Sequence, residues 1–220
     1  MAAEAPQILA SLRSAKLEIL DDELAALEAA GIDGYHLDVM DGRFVAEECF
    51  DADFAAKLRP KTRRVIDVHL IAERPESLID AFARAGADRI SFHWEATADA
   101  AACVGQIRAG GARPGIVCLP STELEVLRDL LQSVALVNPL GVDPTRGLGF
   151  QENTYQRIET LRTWRDRDGL DFLIQADGGV WEKTRDGLVA AGADELVGGY
   201  PIFSAVDYGE AIVQLRHGRK

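Results

Sequence analysis

Positive charge is scarce in this sequence. Its 220 residues carry 24 Lys+Arg against 36 Asp+Glu, a formal net charge of −12. Such a chain lacks the basic face that a general nucleic-acid binder needs to neutralise phosphates. It is also unsuited to an anionic membrane surface. Neither nucleic acid nor membrane is therefore an expected partner. Long apolar runs are missing as well: no stretch approaches the ~20 apolar residues that span a bilayer. The start, Met1-Ala-Ala-Glu-Ala-Pro6, has neither the basic region nor the apolar run of a secretory signal. Cysteine is sparse: Cys49, Cys103 and Cys118 are far apart, odd in number and without a CxxC pair. That excludes a disulfide scaffold and reads as three reduced thiols in a cytoplasmic protein. No Pro/Ser-rich linker or low-complexity tract divides the chain. The expectation is one domain over 1–220, with residues 1–6 and 216–220 as flexible tails.

What is present alternates between two textures. Short β-branched runs predict eight strands: Gln7–Ser11, Gly34–Asp38, Arg64–Leu70, Arg89–His93, Pro114–Cys118, Val134–Asn138, Phe172–Asp177 and Glu195–Gly199. Between them lie Ala/Leu/Glu-rich stretches with helical spacing, such as 18–30 (Leu20, Leu24, Leu27) and 123–131 (Leu124, Leu127, Leu131). Strand–helix alternation implies parallel pairing with helical crossovers. A weak repeat supports it: Ala30-Gly-Ile-Asp33, Ala85-Gly-Ala-Asp88 and Ala191-Gly-Ala-Asp194 recur at spacings of 55 and 106 residues. Each closes a helix with a glycine in the left-handed region and leads into a strand. Two strand–helix units per period give about eight units, the count of a compact (β/α)8 TIM barrel. An open doubly wound sheet is the alternative. Against it, no strand is followed by GxGxxG or a Walker-type loop.

In a barrel the functional groups gather where strands end. Four ends are polar: His36-Leu-Asp38-Val-Met40-Asp-Gly42, Asp67-Val-His69-Leu70, Ser91-Phe-His93-Trp-Glu95 and Gln175-Ala-Asp177-Gly178-Gly179. His36 and Asp38 are two apart on a strand and share a face. If that face is the interior, His69 and Asp177 can join them. Two imidazoles and two carboxylates suit Zn, Mn, Fe or Co as one divalent ion. The bland alternative is four hydrogen-bonded strand-end residues without a metal. The glycine pairs Gly178-Gly179 and Gly198-Gly199 follow the seventh and eighth strands. There, backbone N–H groups can cradle an anion, or glycine can simply serve two tight turns.

These segments resemble a known family. His36-Leu-Asp-Val-Met-Asp-Gly42 with Phe44-Val45 is similar to the HVDVMDGxFV signature of the ribulose-phosphate 3-epimerases. Asp67-Val-His-Leu70 resembles its DVHL, Ser91-Phe-His-Trp-Glu-Ala96 its SxHxEA, and Ala176-Asp-Gly-Gly-Val180 its VDGGV. Ala190-Ala-Gly-Ala-Asp194, followed by Ile202-Phe203 and Asp207-Tyr208, resembles its last unit. The likeness runs from about Ile8 to Leu215. It implies a (β/α)8 barrel and one divalent metal held by His36, Asp38, His69 and Asp177. It further implies an acid/base role for Asp38 and Asp177, a sugar-phosphate substrate and a homo-oligomer. Ser11, Met40, His69, Gly178, Gly179, Gly199 and Tyr200 fall at substrate-contact positions. The implied reaction is inversion at C3 of a ketose phosphate, D-ribulose 5-phosphate to D-xylulose 5-phosphate.

Departures fall around the sugar. The usual Pro-Ser-Ile-Leu reads Ala10-Ser-Leu-Arg13, and HLM reads His69-Leu-Ile71. N-P reads Leu119-Pro120, and a Gly-Ser pair reads Gly199-Tyr200. The loop after the sixth strand carries Asp143 and Arg146, and Arg146 is a candidate contact to a phosphate or carboxylate. Arg146 or Asn153 could replace the lost serine hydroxyl. With Leu119, these changes keep allulose 6-phosphate or a tetrulose phosphate open as substrates. A related barrel decarboxylase would need a central lysine, which no predicted inner strand ends in. A non-catalytic relative would have lost one aspartate.

Overall fold

The strands are short and their side chains alternate strictly between two surroundings. The structure, a computed structural model, describes residues 5–219. In chain order the elements are β1 (Gln7–Ser11), α1 (Leu20–Ala29), β2 (Gly34–Asp41), β3 (Glu48–Cys49), α2 (Ala52–Leu58), β4 (Val65–Ile71), α3 (Ile79–Arg84), β5 (Arg89–His93), α4 (Ala100–Ala109), β6 (Arg113–Cys118), β7 (Leu136–Pro139), α5 (Asn153–Asp168), β8 (Leu173–Ala176), α6 (Glu182–Ala191), β9 (Glu195–Gly198), α7 (Tyr200–Phe203) and α8 (Tyr208–His217). The sheet runs β1-β9-β8-β7-β6-β5-β4-β2 and closes through a parallel β1–β2 pairing. Closure excludes the open sheet and gives the (β/α)8 barrel in one domain. The register Asp38↔His69 and His36↔Asp67 sets these four residues in two adjacent tiers.

One set of strand residues faces the helices. Ile8, Tyr35, Leu37, Ile66, Val68, Ile90, Phe92, Ile116, Val137, Ile174 and Leu196 join the helix leucines in one apolar layer. At about 25 cal/mol per Å² of buried apolar surface, this layer supplies most of the driving force for folding. The other set faces the barrel axis and is unusually polar: His36, Asp67, His69, Arg89, Ser91, His93, Asn138, Gln175 and Glu195 are all buried.

The repeated turn has a structural explanation. Gly31, Gly86 and Gly192 have φ of 76°, 90° and 117°, a region open to glycine without steric cost. The aspartate that follows ties two strands together. The carboxylates of Asp33, Asp88 and Asp194 accept from the backbone N–H of Ile8, Ile66 and Ile174, each at 2.7 Å. Arg216, Arg59 and Arg165 pair with these carboxylates from outside.

Three features differ from expectation. Residues 124–133 form a 3-10 rather than an α-helix. Leu124, Leu127 and Leu130 recur every three residues, which stacks them on one face at three residues per turn. β3, absent from the prediction, pairs antiparallel with the extended end of β2, Met40 opposite Cys49. Two residues are too short for a periodicity signal. The expected C-terminal tail begins later than 216, because Arg216 and His217 complete α8 and the Arg216 guanidinium is held by Asp33. Residues 1–4 and 220 of the expected tails lie outside the described residues. No described helix is long and apolar enough to cross a membrane.

Candidate active site

Parity brings the predicted set together. His36 and Asp38 point inward from β2, His69 points inward from β4, and Asp177 follows β8. One ligand atom from each lies within 4.8 Å of all the others. His36 Nε2 is 3.4 Å from Asp38 Oδ1 and 3.7 Å from Asp177 Oδ2. His69 Nδ1 is 3.6 Å and 3.5 Å from the same two oxygens. Metal–ligand bonds of about 2.0–2.2 Å put neighbouring ligands of a tetrahedral ion about 3.4 Å apart. His36 Nε2 and His69 Nδ1 are buried and have no hydrogen-bond partner. Leaving two such atoms unpaired is costly unless something else accepts their lone pairs. The residues therefore fit a divalent cation.

Each of these side chains is oriented through its other polar atom. His36 Nδ1 donates to Asp67 Oδ2 at 2.8 Å, which leaves the Nε2 lone pair free. Ser11 Oγ donates to Asp38 Oδ2 at 2.8 Å, and Gly178 N donates to Asp177 Oδ1 at 2.7 Å. His69 Nε2 lies 3.0 Å from His93 Nε2, and His93 Nδ1 lies 3.4 Å from Glu95 Oε2. Burial pushes His93 down to about 4, so its neutral ring accepts from His69. Glu95 in turn accepts from Leu119 N at 2.9 Å and from the Thr122 hydroxyl.

Below this tier the barrel holds a buried ionic network. Asp67 accepts from Arg89 Nε at 3.1 Å and from Gln175 Nε2 at 2.8 Å. Arg89 Nη1 donates to Glu195 at 2.7 Å. Burial alone would raise the Asp67 pKa, but Arg89 and His36 outweigh it and hold the carboxyl well below the usual range. Around the centre, burial would push His36 down and Asp38 up. Their mutual attraction, with Asp177 and His69 adding to it, instead drives His36 up and Asp38 down. Both directions mean that positive charge is favoured beside the Asp38 carboxylate.

The centre opens into a cleft of about 200 Å³ lined by Ser11, Met40, His69, Asp177, Gly178, Gly179, Gly199 and Tyr200 among others. All the predicted contact positions lie there except Arg146. Its backbone N–H caps Asp143 at 3.2 Å, and its side chain is exposed outside the cleft. Asp143 is buried and organises its own turn, accepting from Thr145 Oγ1 at 2.6 Å. Asn153 donates to Pro120 O at 3.1 Å, away from the cleft. Gly178 and Gly179 have φ of 79° and 73°, and a Cβ on Gly179 would lie 2.6 Å from the Phe150 ring. The pair is thus required by the turn itself, whatever it also binds. Cys118 offers no nucleophile: it is buried against Arg157, and burial pushes its thiol up to about 12. Asp67, Arg89, Gln175, Glu195, Arg13 and Trp181 belong to the site or its support, and the sequence reading gives none of them a site role.

A barrel with a His₂Asp₂ centre and an anion-sized cleft at the C-terminal ends of its strands defines a class of small-molecule enzymes. Comparison with known proteins narrows it. Residues 7–203 match the ribulose-phosphate 3 epimerase family. Ribulose-phosphate 3-epimerase of Synechocystis sp. is 37% identical over 213 residues, covering 96% of this chain and 93% of that one. The Treponema pallidum enzyme of the same name is 39% identical, over 88% of this chain and 89% of its own. Among solved structures, KGPDC from Streptococcus mutans superposes with a TM-score of 0.71 at 14% identity, over 98% and 97% of the chains. 3-Hexulose-6-phosphate synthase gives 0.65 at 20%, over 97% and 100%. Those two likenesses speak for the fold. The chain belongs to the ribulose-phosphate 3-epimerase family and is an enzyme of the isomerase class.

Proposed function

We propose that this protein inverts C3 of D-ribulose 5-phosphate to give D-xylulose 5-phosphate, with a divalent cation held by His36, Asp38, His69 and Asp177. The observation that carries this reading is the pair of inward-facing carboxylates, on β2 and after β8, with β1 and β9 between them. C3 lies next to the ketose carbonyl, so its proton is the acidic one. Inversion needs one group to take that proton from one face and another to return a proton to the opposite face. Asp38 and Asp177 approach the cleft from two sides and fill these roles, one ionised while the other is protonated. Ser11 and the Gly178 N–H hold one oxygen of each, leaving the other directed at the centre. A cation bound there supplies electrostatic stabilisation for the charge that develops on the ketose oxygens. Met40 and Ile71 form an apolar wall beside the reacting carbon and keep bulk water away from it. The turns at Gly178-Gly179 and Gly199-Tyr200 take the phosphate end. Self-association in solution is part of the same reading, supported by exposed Ile19, Val206 and Val213 on the outer surface.

The test is NMR in D₂O with a panel of ketose phosphates of four to six carbons, wild type beside Asp177→Asn. Deuterium enters C3 of ribulose 5-phosphate with the wild type, and the variant loses about 10²–10⁴-fold in rate. Exchange confined to another member of the panel would move the substrate while keeping the chemistry. Exchange undiminished in the variant would remove Asp177 from the acid/base pair.

A further inference from the structure

The charge in the cleft does not balance for a phosphorylated ligand. With one of Asp38 and Asp177 carrying the transferred proton, a divalent cation leaves the centre about one positive charge, fewer than a phosphate dianion brings. A phosphate brings close to two further negative charges into a protein whose formal net charge is already −12. Among the described residues lining the cleft, Arg13 is the one lysine or arginine. It sits in the 3-10 turn Leu12–Ser14 directly after β1. That turn adjoins the anion end of the cleft: a Cβ on Gly199 would lie 2.7 Å from Ser14 Oγ. The guanidinium is not idle. It pairs with Glu47 from the loop between β2 and β3, with the two side chains 47% and 63% exposed. An exposed pair of that kind adds little to stability. Glu47 makes no hydrogen bond to another described side chain, so the pair has no evident structural duty.

We infer that Arg13 is a phosphate-contacting specificity residue of this cleft and that Glu47 is its resting counter-ion, exchanged for the phosphate when substrate enters. This rests on the sugar-phosphate reading above. The exchange is chemically favourable. A guanidinium binds phosphate oxygens bidentately, and a dianion outcompetes one exposed carboxylate. Trp181 and Tyr200 stand on the same rim, ring centroids 5.4 Å apart. Arg13 stands directly after β1, in the run Ala10-Ser-Leu-Arg13. It also replaces the contact that Arg146 was expected to make, from a loop on the cleft side rather than the solvent side.

The experiment has two arms. In the first, inorganic phosphate is titrated calorimetrically into wild type, Arg13→Gln, Arg13→Lys and Glu47→Gln. The expected result is about tenfold weaker binding for R13Q, partial recovery for R13K and tighter binding for E47Q. R13Q also flattens the dependence of binding on ionic strength, because the screened attraction is gone. In the second arm, R13Q raises KM for ribulose 5-phosphate about tenfold, with the effect on KM rather than kcat. Equal phosphate affinity in wild type and R13Q, or no phosphate binding by the wild type, would overturn the assignment of Arg13. If the wild type turned over no ketose phosphate while R13Q still lost phosphate affinity, Arg13 would stand and the substrate would fall.

Discussion

Replacing Asp67 by asparagine tests how deep the centre reaches into the barrel. Three donors converge on this carboxylate: Arg89 Nε on Oδ1, and His36 Nδ1 and Gln175 Nε2 on Oδ2. Asparagine keeps the shape but offers one acceptor oxygen and one donor amide. With the oxygen toward His36, the amide faces the Arg89 guanidinium, donor against donor. With the oxygen toward Arg89, the amide faces His36, which can accept only by moving its proton to Nε2. That is the atom directed at the cation site. Either orientation strands buried charge or abolishes a ligand. Breaking a buried ion pair costs about 3–5 kcal/mol. Arg89 keeps Glu195 at 2.7 Å, so the loss falls at the low end, about 3 kcal/mol. Cation affinity drops by about 10–100-fold, as when the partner of a ligating histidine is removed. Urea denaturation of chelator-stripped protein reads the first quantity, and competition with a metal-sensitive dye reads the second. The Asp67 pKa is depressed in the folded state, so its stabilisation is complete above the ordinary carboxylate value. It fades only as pH falls toward the folded one. The part of the difference that comes from the Asp67 carboxyl itself is therefore flat near neutrality and shrinks below about pH 4. Unaltered urea midpoints together with unaltered cation affinity would refute the argument.

Asp67 also marks the boundary of what the sequence discloses. Strand ends were legible because polar residues interrupt apolar runs there, and the period of two assigned His36 and Asp38 to one face without further information. The same parity runs downward from His69 to Asp67, from Asp177 to Gln175 and from His93 to Arg89. Residues in mid-strand look like conventional core positions, and nothing local says that several of them meet. The Ala-Gly-X-Asp turns disclosed the period of the fold because each has the same local role, in which a left-handed glycine precedes an aspartate that stitches neighbouring strands. The unit before β7 has no such aspartate, and there the predicted helix proved to be a 3-10 helix. Loop arginines are the opposite case. Arg146 and Arg13 are equally conspicuous in the sequence, and only the path of the chain separates them. Asp143 turns the first away from the cleft, and the end of β1 delivers the second into it.

Two further outcomes follow from these contacts. Asp194→Ala removes the acceptor for Ile174 N at 2.7 Å and the partner of Arg165. Its cost is about 1–3 kcal/mol in urea denaturation, with asparagine restoring part of it. Cation binding is proton-linked, and the direction follows from the centre itself. Burial alone would push both His36 and His69 down, but the carboxylates of Asp38 and Asp177 raise both in the folded protein. A raised imidazole pKa stabilises the metal-free protein fully below the unfolded value of about 6.5, and that contribution is lost as pH rises through the folded value. A cation must displace those protons, since it needs the lone pairs they occupy. Apparent affinity therefore climbs with pH through this window, by up to about tenfold per unit for each proton displaced. Calorimetry in buffers of different ionisation enthalpy counts the protons released. Affinity that stays level across the window, with no proton released, would mean that these imidazoles do not hold the ion.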